Sequence, residues 1–282
     1  MDRVLRGVPP TASLALYGPD GTPTDPVGNP ATTIVDVADG AGAPVAQALP
    51  TQHPATGSFT CNLPALPNLD TYTLTWALPD GTMRATELEV VGGAYFAVAD
   101  LRAWDSDLAD ATAYPAAAVV EAREIVEEDF EHATGVAWVP RGRRLTLDGS
   151  GDYALRVPNL RLRRVVSARV DGALLADQST LVPYPSGVIM RPGAIWPLGY
   201  ENVQVQYEHG MDAPPAPLVR AAKRYARHLL VRGGLDQNER ATAVFTDLGG
   251  YRLSIAGRDG WTGLPEVDAV LERYSSPAAG IA

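Results

Sequence analysis

The sequence predicts an α+β protein in which an all-β part precedes a part built on helices. Residues 1–93 alternate apolar and polar positions in short runs, with turn residues between them and no helical period. Two later stretches, 115–135 and 218–232, instead repeat apolar residues at three and four. Between those two lie further short alternating runs, so strands return inside the helical part. A chain of 282 residues has room for two domains at roughly 150 residues each. The expected division is 1–93, then 94–260, then a C-terminal docking helix and tail over 261–282.

In the first part ASLALY (12–17), ATTIVDV (31–37), GSFTCNL (57–63), TYTLTWAL (71–78) and TMRATELEVV (82–91) read as strands, separated by PDG, GNP and PNLD clusters. The PDG at 79–81 joins two of these runs, which predicts a hairpin. By the period of two, Tyr72, Leu74 and Trp76 share one face and read as core. The stretch DTYTLTWALPDGT resembles the closing hairpin of immunoglobulin-like sandwich domains of phage and bacterial surface proteins. That resemblance implies an immunoglobulin-like β-sandwich for 1–93 and says little of function, because such sandwiches serve as spacers, binders and decorations alike.

After Gly92-Gly93 the pattern changes. AYFAVADLRAWDSDLAD (94–110) reads as a short helix with Asp100 near its start. A long helix over 115–135 opens at Pro115, closes at Gly135 and carries Ala118, Val119, Ala122, Ile125, Val126, Phe130 and Ala133 on one face. Strands follow at 143–147, 152–157, 165–172, 179–184, 187–192 and 203–210, a β insertion of about 143–210. The helix of 218–232 has the stripe Leu218, Ala221, Ala222, Tyr225, Ala226 and Leu229. A helix at 238–247, a strand at 251–257 and a short helix at 265–274 complete the expected elements.

Composition narrows the function classes. No apolar run approaches the roughly 18 residues of a membrane span, and MDRVLRGVPP lacks the apolar stretch of a signal peptide. Cys61 is the single cysteine, which excludes an intrachain disulfide and a cysteine-based zinc site; it reads as a small core residue. The net charge of −10 argues against a chain that wraps DNA, since that affinity comes from Lys and Arg on phosphates. Residues 1–93 contribute −6 of it, with nine Asp/Glu against three Arg. No phosphate-cradling glycine loop and no GxSxG elbow occurs, and His53, His132, His209 and His228 lie far apart, so neither a cofactor nor a metal is expected and no catalytic residue stands out.

Two charged helices remain. Glu121, Glu124, Glu127, Glu128 and Glu131 line the first, and Glu128 with His132 one turn on is its best acid/base or metal candidate. Carboxylates at nearly every exposed position more often make a solvated or subunit-facing surface. The second carries Arg220, Lys223, Arg224, Arg227 and Arg232, spread around the helix without an aromatic platform for bases. Glu124, Glu127, Glu128 and Glu131 against Arg220, Lys223, Arg224 and Arg227 therefore read as charges between subunits.

Residues 95–275 resemble the head-tail connector family of long-tailed bacteriophages, the adaptor beneath the portal. The resemblance lies in ordered elements: the short helix, the acidic helix with Ala122-Arg123-Glu124, the strand RVVSARVDG, the strand Val203-x-Val205-x-Tyr207-x-His209-Gly210, the helix with Ala221, Ala222 and Ala226, and TGLPEVDAVLERY at 262–274. It implies a helical-bundle adaptor domain with a small β insertion, assembled as a twelvefold ring in the virion neck after synthesis in the host cytoplasm. It further implies contacts with the portal and with a stopper or other neck protein, and double-stranded DNA passing through the lumen without sequence-specific binding. By the same analogy Trp261, Leu264, Val267, Val270, Leu271 and Tyr274 dock on the portal; otherwise they close their own domain. Such adaptors are not enzymes. The alternative is a carbohydrate-binding or adhesive module protein with the sandwich as its active part.

Overall fold

The computed structural model of the chain describes residues 2–232, 243–246, 249–252 and 261–275. The chain divides into two compact units, one formed by 1–93, 140–158 and 162–209, the other by 94–139, 159–161 and the residues from 210 onward.

The first unit begins with β1 (Asp2–Leu5), β2 (Thr11–Ala15), β3 (Ile34–Ala38), β4 (Pro44–Pro50), β5 (Gln52–Ala55), β6 (Ser58–Asn62), β7 (Thr71–Ala77) and β8 (Met83–Val91). Two of its turns share the sequence PDGT. In each, the Asp Oδ1 accepts the Thr N–H and hydroxyl two residues on, at 3.1 and 2.7 Å from Asp20 and at 2.9 and 2.6 Å from Asp80. The glycine between them takes a left-handed φ, 76° at Gly21 and 82° at Gly81, so the local chemistry dictates the turn. The second PDGT closes the β7–β8 hairpin.

Along β7 the alternation is complete, and Tyr72, Leu74 and Trp76 are all buried. With Val35, Val37, Phe59 and Cys61 they fill a core between the β5–β6–β2 sheet and the sheet holding β3, β7 and β8. The buried polar tips are satisfied: Tyr72 donates to the Asn68 carbonyl at 3.3 Å, and Trp76 Nε1 to Thr86 Oγ1 at 3.0 Å. Burial pushes the Cys61 thiol pKa up, which makes it a packing residue rather than a reactive one.

The same unit continues with β9 (Arg141–Gly149), β10 (Ala154–Arg156), β11 (Leu162–Val170), β12 (Ala173–Leu174), β13 (Val182–Tyr184), β14 (Val188–Met190) and β15 (Gly199–His209). These strands do not form a separate small insertion. The sheet runs β12-β11-β15-β9-β8-β7-β3-β4 with β1 parallel on β8, nine strands in all. Its two parts meet at the Val91↔Arg141 pair, beside which the Gly92 N–H donates to the Pro140 carbonyl at 2.7 Å. Val203, Val205 and Tyr207 of β15 are fully buried in a second core, which Trp196, Leu155 and Ile189 close from the side of the β10–β14–β13 sheet.

This overturns the expected helical-bundle adaptor domain with a small β insertion. Among the described residues the chain is mostly β, with seventeen strands against four α-helices. Periodicity identifies a run as a strand but not its partner. Of the strands of 141–209, β9, β11, β12 and β15 pair with one another and, through Arg141, with β8, so they extend the N-terminal sheet instead of decorating a helical core, while β10, β13 and β14 form a small sheet of their own.

The second unit holds α1 (Val98–Trp104), α2 (Ala116–Thr134), α3 (Ala216–Arg232), the β16–β17 pair (Ala243–Thr246 and Gly249–Arg252) and α4 (Pro265–Tyr274). Helix α2 ends as its sequence predicts, with Gly135 at φ 68° donating to the Glu131 carbonyl at 2.8 Å. Its buried stripe is Val119, Ala122, Val126, Phe130 and Thr134; Glu127 is buried too, whereas Ile125, which the apolar period assigns to that face, is exposed. Phe130 stacks on Tyr225 of α3 at 6.3 Å and meets the Tyr95 ring edge-on at 6.0 Å, which ties three segments into one core. Within 238–247 the described residues 243–246 are a strand rather than a helix; the rest of that stretch, and 253–257, lie outside the described residues.

After β15 the chain turns at Gly210. Its φ is +96°, its N–H donates to the Arg161 carbonyl at 3.0 Å, and a Cβ there would sit 2.2 Å from the Val139 carbonyl oxygen. Only glycine fits both the backbone conformation and the close approach.

Candidate functional site

The charged residues singled out in the sequence fall on α2 and α3, which pack against each other. Several are engaged inside the unit. Glu127 accepts the Tyr95 N–H at 2.9 Å and pairs with Arg123 at 3.8 Å. Arg227 pairs with Asp105 and, at 3.2 Å, with Asp107, while Lys223 Nζ donates to the Asp100 carbonyl at 3.2 Å. Glu124 and Glu131 are half-buried and have partners, whereas Glu128, Arg220 and Arg224 are exposed. Tyr225 is buried as expected and donates to Asp129 Oδ2 at 2.9 Å; burial nonetheless raises the Asp129 carboxyl pKa.

The C-terminal residues are placed equally unevenly. Val267 and Leu271 lie in the core of the unit, and Leu264, Val270 and Tyr274 pack against it, Tyr274 edge-on to Trp138 at 5.5 Å. Trp261 is 52% exposed, beside the exposed His132 ring at 5.3 Å. Asp268 holds this stretch by accepting both the N–H and the hydroxyl of Thr262 at 2.9 Å. The tail 276–282 lies outside the described residues. Glu128 and His132 gather no third ligand: among the described residues no group of three or more His, Cys, Asp or Glu could hold a metal ion. No described helix is long and apolar enough to cross a membrane.

The first unit contains a polar surface that motifs and periodicity do not reveal. Register places Arg169, Gln204 and Thr146 in one row across β11, β15 and β9, and Ser167, Gln206 and Arg144 in the next. Arg164 and Glu208 follow, paired at 2.7 Å, with Arg6 at 3.8 Å from the same carboxylate. Asp70 Oδ2 accepts from both Arg144 and Gln206 at 3.0 Å, and Asp70 Oδ1 accepts the Thr71 N–H at 3.0 Å. Arg144, Thr146, Arg169 and Gln204 line a cavity of about 410 Å³, which is completed by Gly40 and Ala41 of the β3–β4 turn and by Gly172. Gly172 follows Asp171 in the β11–β12 hairpin, both at positive φ, as an Asp-Gly turn requires. A signal for this surface existed: residues 141–170 contain eight Arg and only two Asp in an otherwise acidic chain.

Near the Val91↔Arg141 joint the polar groups are buried. Glu89 Oε2 accepts from Arg141 at 2.6 Å and from Arg3 at 3.1 Å. His209, paired in register with Arg141, has its pKa lowered to about 4 by burial and by the cations Arg141 and Arg143. It is therefore neutral in the folded protein at pH 7. An unfolded chain takes up that proton near 6.5, so between about 6.5 and 4 the unfolded state binds more protons and stability falls as pH falls. Denaturation followed by circular dichroism is expected to lose up to roughly 3 kcal/mol over this window. His209→Gln should flatten the slope; a slope it leaves unchanged belongs to other groups.

Fold and surface together define a β-rich, two-unit protein with a charged helical face and a basic sheet pocket. No family model matches the sequence, and no curated protein matches it. Among solved structures, one similar chain lies in the neck of an empty GTA particle computed with C6 symmetry, at 22% identity, covering 65% of this chain and 90% of that one with a TM-score of 0.43. The IG1 domains of a ZIG-8–RIG-5 heterodimer and of a ZIG-8 homodimer are similar at 12% and 13% identity. Each covers 32% of this chain, with 79% and 76% of the other chain and TM-scores of 0.22 and 0.20.

Proposed function

We propose that the chain is a structural protein of a virion neck, an adaptor that joins with copies of itself into a ring between the portal and the next neck protein. The observation that supports it is convergence. The elements that resemble the connector adaptors are spread over most of 98–274, and the helical ones, α2, α3 and α4, meet in one core, with Arg220 and Arg224 left exposed on α3. In this reading those two arginines contact a neighbouring copy, and Trp261 contributes to the portal contact. The protein makes and breaks no bonds, the ring has twelve subunits, and double-stranded DNA crosses its lumen without sequence-specific binding.

Mass measurement of the purified protein, alone and mixed with its portal, tests this reading. The structure selects the variants, because removing 261–282 would also remove core residues Val267 and Leu271. Arg220→Glu with Arg224→Glu is expected to leave the helical circular dichroism intact and abolish the ring. Trp261→Ser is expected to weaken portal binding without unfolding the chain. A persistent monomer that ignores the portal would instead favour a binding module.

A further inference from the structure

The cavity bounded by the β3–β4 turn brings together a guanidinium, an amide and a hydroxyl from three neighbouring strands, with a second guanidinium one row away. Two of the nearby acids are already committed. Asp70 is saturated by Arg144, Gln206 and its neighbouring backbone N–H, and Asp39 Oδ1 accepts the N–H groups of Ala41 and Ala43 at 2.9 Å. Arg169 differs. It is exposed, and its bond to protein is Nη1 to the Gly172 carbonyl at 3.1 Å, which orients the fork without neutralising it. A cation aimed by its own hairpin, flanked by Thr146 and Gln204, supplies donors from several directions, as a tetrahedral oxyanion requires. The volume of about 410 Å³ accommodates a phosphate together with the group that carries it.

We propose that this pocket binds a phosphate group, with Arg169 as its principal ligand and Arg144, Thr146 and Gln204 as supporting donors. The phosphate can be free or part of a nucleic-acid backbone, since both present the same oxygens. The inference rests on the first unit alone and stands or falls separately from the neck reading.

The test uses the full chain. Inorganic phosphate, pyrophosphate and a short double-stranded oligonucleotide are titrated at matched ionic strength, and binding is read by calorimetry and by the thermal midpoint. Saturable binding is expected for at least one of them. Arg169→Gln is expected to weaken it about tenfold or more, as does losing a charge-assisted hydrogen bond, and to leave the midpoint without ligand unchanged. Thr146→Val should weaken it less. Binding of the oligonucleotide that inorganic phosphate displaces identifies the backbone as the source; binding of the small ions alone identifies a free oxyanion. No saturable binding of any probe, or binding that Arg169→Gln leaves intact, overturns the assignment.

Discussion

Replacing Glu89 with leucine is expected to destabilise the first unit by about 3–5 kcal/mol, the usual cost of breaking a buried ion pair from one side. Glu89 is the anion between Arg3 and Arg141, at 3.1 and 2.6 Å, and the Arg141 side chain is only 6% exposed. The leucine leaves both guanidiniums in a desolvated site without their carboxylate. Much of the loss comes from the weakened compensation of those buried cations rather than from the pair itself. The double variant Glu89→Leu with Arg141→Met should therefore recover part of the stability in urea unfolding. A double variant no more stable than Glu89→Leu would refute this account.

Gly142→Ala is expected to cost about 3 kcal/mol or more, at or beyond the upper end of ordinary overpacking. A Cβ at Gly142 would lie 1.9 Å from the Leu69 carbonyl oxygen and 2.9 Å from the Asp70 nitrogen. Backbone cannot rotate aside as a side chain can, so β9 would have to withdraw from residues 69–70. That movement also draws Arg144 away from Asp70, two residues along from the substitution. Gly172→Ala is the matching control. Gly172 has φ +77° but open space around its Cβ, so alanine there meets backbone strain alone, about 1 kcal/mol. Equal losses at the two sites in denaturant melts would remove close approach as the cause.

The residues read from the sequence fare differently according to what decides them. Tyr72, Leu74 and Trp76 are core because a strand with one buried face needs only the period of two. Gly135 and the PDGT turns are equally local: a left-handed φ and an Asp two residues before a Thr settle them without distant contacts. The charged residues are less legible. Composition presents Arg220, Lys223, Arg224 and Arg227 as one set. Packing divides them, because α1 and the segment after it supply Asp100, Asp105 and Asp107 to two of the four. Glu127 looks like its exposed neighbours until the Tyr95 N–H is found against it.

Most element positions, the PDGT and α2-end glycines, the N-terminal core strip and the ends of α2 and α4 are legible in the sequence, because each depends on a few neighbouring residues. Tertiary pairing is what makes β9, β11, β12 and β15 extend the N-terminal sheet and sets Arg169, Gln204 and Thr146 side by side. Pairing across a sheet joins residues far apart in the chain, and a period of two is the same whichever partner a strand takes.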